Sequence, residues 1–389
     1  MGSTPALQGI RVLDLASVGP GARASRTLAD YGAEVIKVGA VPRAGGVQIV
    51  PPYYAYSGNR GVGRALFDLK ADAGREAFLR LAATADVIIE SFRPGVVDRL
   101  GIGFDAVRAL NPGIVYCSTS GFGQSGPRST WAGHDINYLG VAGFLDCTGR
   151  QGDGRPALPG ATVADIAAGG MQAAMSIMAA LLRRANTGEG ELLDVSIADG
   201  SFALMSLYVD EYLATGVEPG PGHYILTGRY ACYDVYTCAD EKFVAVGAIE
   251  PQFWRNLVGL LGLEQYADAQ MDDDAQDEIR AAMAAVFATR TRDEWVAELG
   301  PANTCVTEVN TVAEAVVDEQ YVARGVVTDA VHVTEGPFRQ SAPILAGTVD
   351  PDGPYEIREG TVTDTAELLA QVGLDAAEIE QLLESGVIS

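Results

Sequence analysis

Residues 10–38, IRVLDLASVGPGARASRTLADYGAEVIKV, predict the fold of the first part of the chain. The stretch from Ile10 to Ala16 is a short apolar run typical of a buried strand, and VIKV at 35–38 predicts a second one. Between them, a turn rich in glycine and proline leads into a helical segment. A strand, a helix and a strand within about thirty residues form a βαβ unit, which predicts a parallel sheet.

The turn between these strands also resembles a dinucleotide-binding pattern. Residues 19–24, GPGARA, fit the loose pattern G-x-G-x-x-G/A. In dinucleotide-binding proteins an acidic residue at the end of the second strand binds a ribose hydroxyl, whereas this chain has Lys37 there. Because a lysine suits a phosphate group, the sequence disfavours a nicotinamide cofactor and favours an anionic ligand near Lys37.

The remaining chain predicts two domains. The stretch GVEPGPG at 216–222 predicts a linker. It separates a part with alternating strands and helices from a part where YACYDVYT at 230–237 and FVAVGAI at 243–249 predict a hairpin. Residues 39–61 predict a long surface loop. We therefore predict an α/β large domain at 1–210 and 325–389, a small α+β domain at 223–322, and linkers at 211–222 and 323–324.

Composition excludes several classes of partner. The net charge of −24 disfavours nucleic acid and anionic membranes, but residues 1–100 carry 12 Lys or Arg against 9 Asp or Glu, so an anionic ligand is expected there. No apolar run reaches the roughly 18 residues that span a bilayer, and no secretory signal is recognisable. Five scattered cysteines without a CxxC pair favour a cytoplasmic protein with no disulfide framework and no metal site.

Two stretches supply candidate acid–base groups. WAGHDINYLG at 131–140 contains His134, and LPGATVADIAAGG at 158–170 contains Asp165. A histidine and a carboxylate can each hold or release a proton near neutral pH, and the chain has only three histidines. The alternative is that His134 is an ordinary loop residue and Asp165 a helix cap, as most such residues are.

Asp165 is expected at the N-terminus of a helix over 165–185. This helix is apolar nearly all round, which predicts that it is buried. Gly169 and Gly170 inside it each cost up to about 1 kcal/mol relative to alanine. They therefore predict a close approach to the helix backbone by either a second helix or a ligand.

Six stretches of the chain carry a family resemblance: LQGIRVLDLASVGPG, DYGAEVIKV, FDLKADAGREA, ADVIIESFRPGVVDRLGIGFD, GFGQSGPRSTWAGHDINY and AVGAIEPQFW. From about residue 7 to about residue 350, the chain resembles the family III CoA-transferases, and among them the α-methylacyl-CoA racemases. The resemblance implies a Rossmann-like parallel-sheet large domain built from both chain ends and a smaller α+β domain. It also implies an interlocked homodimer, with each active site between the large domain of one subunit and the small domain of the other.

The same resemblance implies roles for individual residues. His134 and Asp165 would be the acid–base pair, and Glu250 would support Asp165 from the partner subunit. No metal is expected, and no cofactor beyond the CoA moiety of the substrate. The residues implied to bind that moiety are Lys37, Phe67, Asp68, Leu69, Lys70, Ala85, Asp86, Val87, Arg93, Gly133, Asp135 and Tyr138.

The implied reaction is inversion of the α-carbon of 2-methyl-branched acyl-CoA thioesters by 1,1-proton transfer through an enolate. The alternative is a CoA-transferase in which Asp165 forms an aspartyl anhydride, and a third interpretation is a CoA-binding protein without activity. His134 in AGHDINY and the segment AIEPQFW favour racemisation. Three departures from the racemase pattern concern the acyl group and CoA binding: Lys37 in place of an arginine, Arg229 within LTGRY, and Glu308 where proline is common.

Overall fold

The computed structural model describes residues 4–16, 18–42, 52–55, 60–349 and 353–389. The predicted loop over 39–61 lies largely outside these residues. The chain divides into two compact units. The second unit includes residues 145–158, which lie within the predicted large domain, and the predicted domain bounds stay a prediction. The first unit comprises Met1–Phe144, Pro159–Leu207 and Gln320–Ser389, and the second comprises Leu145–Leu158 and Tyr208–Glu319.

A six-stranded parallel sheet forms the centre of the first unit and confirms the predicted parallel sheet. The strand at Val87–Glu90 is buried throughout, as expected where both faces of a parallel sheet are covered. The strand order is β3-β2-β1-β4-β5-β6, so the order reverses between β1 and β4, where open α/β sheets bind ligands. The strands are β1 (Arg11–Asp14), β2 (Glu34–Gly39), β3 (Val62–Leu66), β4 (Val87–Glu90), β5 (Val115–Ser120) and β6 (Glu191–Ser196).

Helices connect and cover these strands. A π-helix at Ala164–Met171 runs directly into α6, and Met205 separates α7 from α8. The helices as far as residue 215 are α1 (Gly19–Asp30), α2 (Asp72–Ala82), α3 (Val96–Arg99), α4 (Phe104–Arg108), α5 (Asp135–Val141), α6 (Gln172–Thr187), α7 (Ile197–Leu204) and α8 (Ser206–Thr215).

The prediction that the helix over 165–185 is buried all round is wrong for one face. Ala173 and Ile177 are buried against the sheet, whereas Met171, Met175 and Leu182 are 45%, 60% and 70% exposed. The sequence shows that the residues are apolar, but burial depends on what packs against them. Of the described helices, the continuous one at Ala164–Thr187 is long and apolar enough to cross a membrane, a property that core helices of soluble proteins share.

The second unit contains an antiparallel sheet of β7 (Tyr233–Thr237), β8 (Phe243–Gly247) and β9 (Val306–Glu308). β7 and β8 pair as the predicted hairpin. Their core is aromatic, with Trp254, Phe287 and Trp295 buried among aliphatic side chains. The helices of this unit are α9 (Pro251–Leu260), α10 (Gln276–Phe287), α11 (Arg292–Leu299) and α12 (Val312–Ala315), and α13 (Glu319–Ala323) begins at its last residue.

The C-terminal segment returns to the first unit. The N–H of Asp68 donates to the carbonyl of Val387 at 2.7 Å, and the N–H of Leu66 donates to Oγ1 of Thr365 at 3.0 Å. Ile388 lies in the same buried cluster as residues of β1 and α2. Both ends of the chain therefore build this unit, and its last elements are β10 (Val327–His332), β11 (Gly336–Ser341), β12 (Tyr355–Ile357), α14 (Thr365–Gln371) and α15 (Ala376–Glu384).

Candidate active site

Asp165 lies in the first turn of the π-helix, directly after Ala164. Its side chain is partly buried. The N–H of Ile166 donates to the carbonyl of Thr162 at 3.0 Å, so the helical hydrogen-bond pattern begins just before Asp165. The N–H groups at a helix start and the helix dipole favour a carboxylate there. The predicted position of Asp165 at a helix N-terminus is confirmed.

His134 is the N-cap residue of α5 and has an extended backbone. Its N–H donates to Oδ1 of Asn137 at 3.0 Å, and its carbonyl accepts from the N–H of Asn137 at 2.8 Å. The residue is exposed. Because the backbone of His134 and the side chain of Asn137 cap the helix, the imidazole is not needed to hold α5 in place.

Asp135 joins these two elements. Its Oδ1 accepts a hydrogen bond from the N–H of Asp165 at 2.9 Å. Since Asp135 directly follows His134, this bond holds the backbone of the predicted acid–base pair side by side within the first unit. The structure therefore brings His134, Asp135 and Asp165 together at the starts of two helices.

The surroundings of Asp165 favour its protonated form. Burial raises the pKa of Asp165 above its usual value, and the neighbouring Asp135 carboxylate raises it further by repulsion. Arg23 and His134 oppose this shift with positive charge. A carboxyl group with a raised pKa can both hold and accept a proton near neutral pH, as acid–base catalysis requires.

Glu250 lies in the second unit, where it is the exposed N-cap residue of α9. Its carbonyl accepts the N–H of Trp254 at 3.1 Å. Burial and the Glu250 carboxylate together raise the pKa of the Cys305 thiol, so these two side chains are close. The predicted role of Glu250 beside Asp165 of a partner subunit stays a prediction, whereas Asp135 supplies a like charge beside Asp165 within one chain.

Replacing Asp135 by asparagine is expected to lower the pKa of Asp165. Asparagine removes the repelling charge but retains a side-chain oxygen that can accept the N–H of Asp165, so the backbone stays in place. The pH at which Asp165 is half protonated then falls, and at a fixed pH more of it is ionised. The measurement is a pH titration of the carboxyl ¹³C signal of Asp165, assigned by its loss in Asp165→Asn. An unchanged or higher midpoint in Asp135→Asn would exclude Asp135 as the source of the shift.

Gly169 and Gly170 allow α1 to lie against the π-helix. A Cβ at Gly169 would be 2.6 Å from Cβ of Pro20, and one at Gly170 would be 2.9 Å from Cβ of Arg23. The expected close approach is therefore made by a helix of the same chain. It places Arg23 one turn from Asp165, where its Nη2 donates to Oγ1 of Thr162 at 3.1 Å. The position of Arg23 is not predictable from the sequence, because its proximity to Asp165 depends on the packing of two helices.

Lys37 is on β2, paired in register with Asp14 of β1. Its ammonium group forms a short ion pair with the fully buried Asp14 carboxylate, and it contacts Oγ of Ser25 at 3.0 Å. Asp14 also accepts hydrogen bonds from Ser25 and from the N–H of Ala16. The predicted phosphate ligand therefore already neutralises an internal carboxylate.

The segment after β3, residues 67–70, lies at the carboxyl edge of the sheet. Phe67 is fully buried against Phe78, so only its backbone can face a ligand. Oδ1 of Asp68 accepts the N–H of Lys70 at 3.2 Å. Leu69 packs partly on the core, and Lys70 is exposed. Lys70 is thus the cation of this segment that can reach an anion in solvent.

The structure does not bring Ala85, Asp86 and Val87 to that edge. They lie at the amino end of β4, opposite the carboxyl end that is followed by Arg93. Ala85 and Val87 are buried, and Asp86 forms an ion pair with Arg184 at 2.8 Å. The stretch ADVIIESFR, which carries part of the family resemblance, covers the whole of β4. Only its C-terminal end, with the exposed Arg93, lies at the carboxyl edge of the sheet.

Gly133 and Tyr138 form the support of the His134 loop. The Tyr138 hydroxyl donates to the carbonyl of Gly133 at 2.6 Å, and a Cβ at Gly133 would lie 2.8 Å from the Tyr138 ring. Burial, with the nearby Asp165 and Asp135, raises the pKa of Tyr138 to about 12. The hydroxyl therefore remains a donor at neutral pH and fixes the loop that carries His134.

A cleft of about 690 Å³ opens in the first unit beside Lys37. Cationic Arg64 and Arg358 line it together with carboxylates such as Glu335 and Glu359. Its charge is therefore mixed. Among the residues that the structure describes, no cluster of three or more His, Cys, Asp or Glu could hold a metal ion.

A second cavity of about 490 Å³ lies within the second unit and is lined by Thr227, Gly228 and residues of its sheet. The neighbouring Arg229, one of the departures from the racemase pattern, has an ion pair with Asp273 at 3.0 Å. Its guanidinium also stacks 5.3 Å from the ring of Tyr230. Arg229 is thus bound to the surface of its own unit.

The model of CoA-transferase family III matches residues 7–351. The chain belongs to CoA-transferase family III. This family III chain is 36% identical over 388 residues to the alpha-methylacyl-CoA racemase of Mus musculus, a match that covers 98% of this chain and 97% of the relative.

Transferases are also among the relatives of this family III chain. It is 33% identical over 353 residues to the succinate–glutarate CoA-transferase of Agrobacterium fabrum, covering 84% of this chain and 85% of the relative. A crystal structure of a CAIB/BAIF family protein from Brucella suis superposes with a TM-score of 0.76 and 29% identity, covering 95% of this chain and all of that one. The chain is therefore an enzyme of the family III group of CoA-transferases and racemases.

Proposed function

We propose that this enzyme inverts the α-carbon of 2-methyl-branched acyl-CoA thioesters by 1,1-proton transfer, as an α-methylacyl-CoA racemase. The observation that carries the proposal is the hydrogen bond from the N–H of Asp165 to Asp135. This bond holds the start of α5, which carries the imidazole of His134, beside the start of the π-helix, which carries the partly buried carboxyl group of Asp165. The identity of 36% with the mouse racemase along nearly the whole chain supports the same reaction.

The mechanism needs two proton carriers because a single group would return the proton to the face it came from. One of His134 and Asp165 removes the α-proton, and the electron pair of the broken C–H bond passes into the thioester as an enolate. The other group then delivers a proton to the opposite face. The raised pKa of Asp165 suits it to hold that proton. Backbone N–H groups at the start of the helix over 164–187 can stabilise the enolate oxygen.

The CoA moiety acts as a handle that positions the small acyl group. The exposed cations Lys70 and Arg93 at the carboxyl edge of the sheet are suited to its phosphates. We propose that no cofactor is required beyond this moiety. A cytoplasmic location is consistent with the five free cysteines.

The test is isotope exchange. In D₂O, a single enantiomer of a 2-methylacyl-CoA should lose its α-proton, gain deuterium and approach the racemic mixture without any added carboxylic acid. Mass spectrometry measures the deuterium, and chiral chromatography measures the inversion. If deuterium enters only when an acceptor acid is present, or not at all, the racemase proposal fails.

The second candidate function is CoA transfer, which the relationship to the Agrobacterium fabrum transferase favours. Asp165 would then attack the thioester carbonyl, expel the CoA thiolate and carry the acyl group as a mixed anhydride. The thiolate would next attack the aspartyl carbonyl of this anhydride, which releases the donor carboxylate and leaves a thioester of CoA with Asp165. The acceptor carboxylate would displace the thiolate to form a second anhydride, and attack of the thiolate on the acceptor carbonyl would give the new acyl-CoA and free Asp165. This candidate predicts an absolute requirement for an acceptor and a hydroxamate at Asp165 after trapping with hydroxylamine.

We also propose that the enzyme is an interlocked homodimer. The exposed apolar side chains of Met175 and Leu182 on α6 support a partner surface, because exposed side chains of this size on one helix face mark protein contacts. Sedimentation is expected to show twice the chain mass of 40.7 kDa. Met175→Asp should shift the equilibrium toward monomer, whereas Arg80→Gln on exposed α2 should not. A fully active monomer would contradict this proposal.

A further inference from the structure

Arg23 occupies a defined position beside the acid–base pair. It is the fifth residue of α1, in the second turn, and the glycine pair of the π-helix lets its Cβ lie directly over the backbone at Gly170. The point where a Cβ of Gly170 would stand is also only 3.1 Å from the carbonyl oxygen of Asp165. The aliphatic part of the Arg23 side chain therefore begins within one helical turn of Asp165.

The guanidinium continues toward the start of the π-helix. Its Nη2 donates to Oγ1 of Thr162, three residues before Asp165, at 3.1 Å. Its charge is close enough to the Asp165 carboxylate to oppose the effects of burial and Asp135. If Asp165 exchanges a proton with the α-carbon, the acyl group must lie against this carboxyl group, and Arg23 then borders the acyl group.

When the acyl chain is neutral, the positive charge of Arg23 opposes the rise in the pKa of Asp165 that burial and Asp135 cause. Burial and Asp135 favour the protonated form of Asp165, and Arg23 disfavours it. A substrate anion beside Arg23 would weaken this opposition, because its negative charge would offset the positive charge of the guanidinium. A carboxylate is the matching group, because guanidinium binds it through two parallel hydrogen bonds. Without Arg23, the negative charges of Asp135 and Asp165 would repel such a substrate.

We propose that Arg23 is a specificity-determining residue that binds a carboxylate on the acyl chain. The inference rests on the proposed function and names its substrate class: CoA thioesters of 2-methyl-branched dicarboxylic acids, with the free carboxylate near the α-carbon. Thr162 orients the guanidinium toward that carboxylate.

Binding of two matched analogues tests this without turnover. 2,2-Dimethylsuccinyl-CoA carries the carboxylate, and 2,2,4-trimethylpentanoyl-CoA carries an isopropyl group of similar shape in its place. Neither has an α-proton, so neither can be racemised. Calorimetry should show that the wild-type protein binds the carboxylated analogue about 10- to 100-fold more tightly, the range for hydrogen bonds to a charged group.

Arg23→Gln should abolish this preference and leave the affinities for the neutral analogue and for free CoA within about threefold, since only the charged contact is lost. Arg23→Lys should retain part of the preference, because it keeps the charge but not the planar fork. Arg80→Gln on exposed α2 is the matched control and should behave as wild type. Circular dichroism checks that each variant is folded.

Equal affinity of the wild-type protein for both analogues overturns the proposal, as does a preference that survives in Arg23→Gln. Failure of the racemase proposal has a different signature. It would appear as missing α-deuterium with 2-methylsuccinyl-CoA and with 2,4-dimethylpentanoyl-CoA alike, while the binding preference and its loss in Arg23→Gln remain measurable.

Discussion

His134→Ala is expected to lower the rate of inversion by about 10²–10⁴-fold, the usual contribution of a general acid–base group. The folded state should be unaffected, because the cap of α5 uses the backbone of His134 and the side chain of Asn137. The affinity for CoA should also be retained. Chiral chromatography of a single enantiomer measures the inversion, and thermal unfolding is the control for stability.

Deuterium exchange in the same variant gives a sharper result. With two proton carriers on opposite faces, removal of His134 leaves Asp165 able to take and return a proton on its own face. His134→Ala should therefore still exchange the α-proton of one enantiomer for deuterium with retention of configuration. Asp165→Asn should do the same for the other enantiomer. Loss of CoA binding, with inversion per bound substrate unchanged, would contradict the assignment of His134.

Lys37→Met is expected to lower the free energy of unfolding by about 3 kcal/mol, because removal of one partner leaves a buried charge uncompensated. The Asp14 carboxylate is fully buried, whereas Lys37 is 21% exposed, so the loss should fall near the lower end for buried pairs. The urea midpoint of unfolding measures this effect. Lys70→Met, at an exposed position, is the control and should change stability by less than about 0.5 kcal/mol.

The double variant Asp14→Asn, Lys37→Met separates the ion pair from other effects of Lys37. Asparagine still accepts and donates hydrogen bonds but carries no charge, so part of the lost stability should return. If Lys37→Met is as stable as the wild-type protein and only binds CoA more weakly, the ion pair is not structural and Lys37 acts as a phosphate ligand alone.

The parallel sheet was predictable because buried strands between helices must be short and apolar on both faces. The two strands predicted within residues 10–38 are both observed, since residues 10–16 contain β1 and residues 35–38 lie within β2. The position of Asp165 at a helix start was likewise visible in its local sequence.

Other features needed the tertiary structure because they join residues that the chain separates. The family resemblance implies that Asp135 binds CoA, whereas its bond to the N–H of Asp165 arises from the packing of α5 on the π-helix. The sequence predicts that Lys37 binds phosphate, whereas its partner Asp14 faces it only because β1 and β2 pair in that register.

The sequence by itself determined the fold class, the family and the two groups that can carry protons, since these depend on residue type and local order. Only the tertiary structure decided which charges surround those groups, which face of the helix over 164–187 remains exposed, and that Arg23 lies next to Asp165. The physical reason is that the energy of a charge and the burial of a side chain depend on neighbours in space, and the packing of helices on the sheet selects those neighbours.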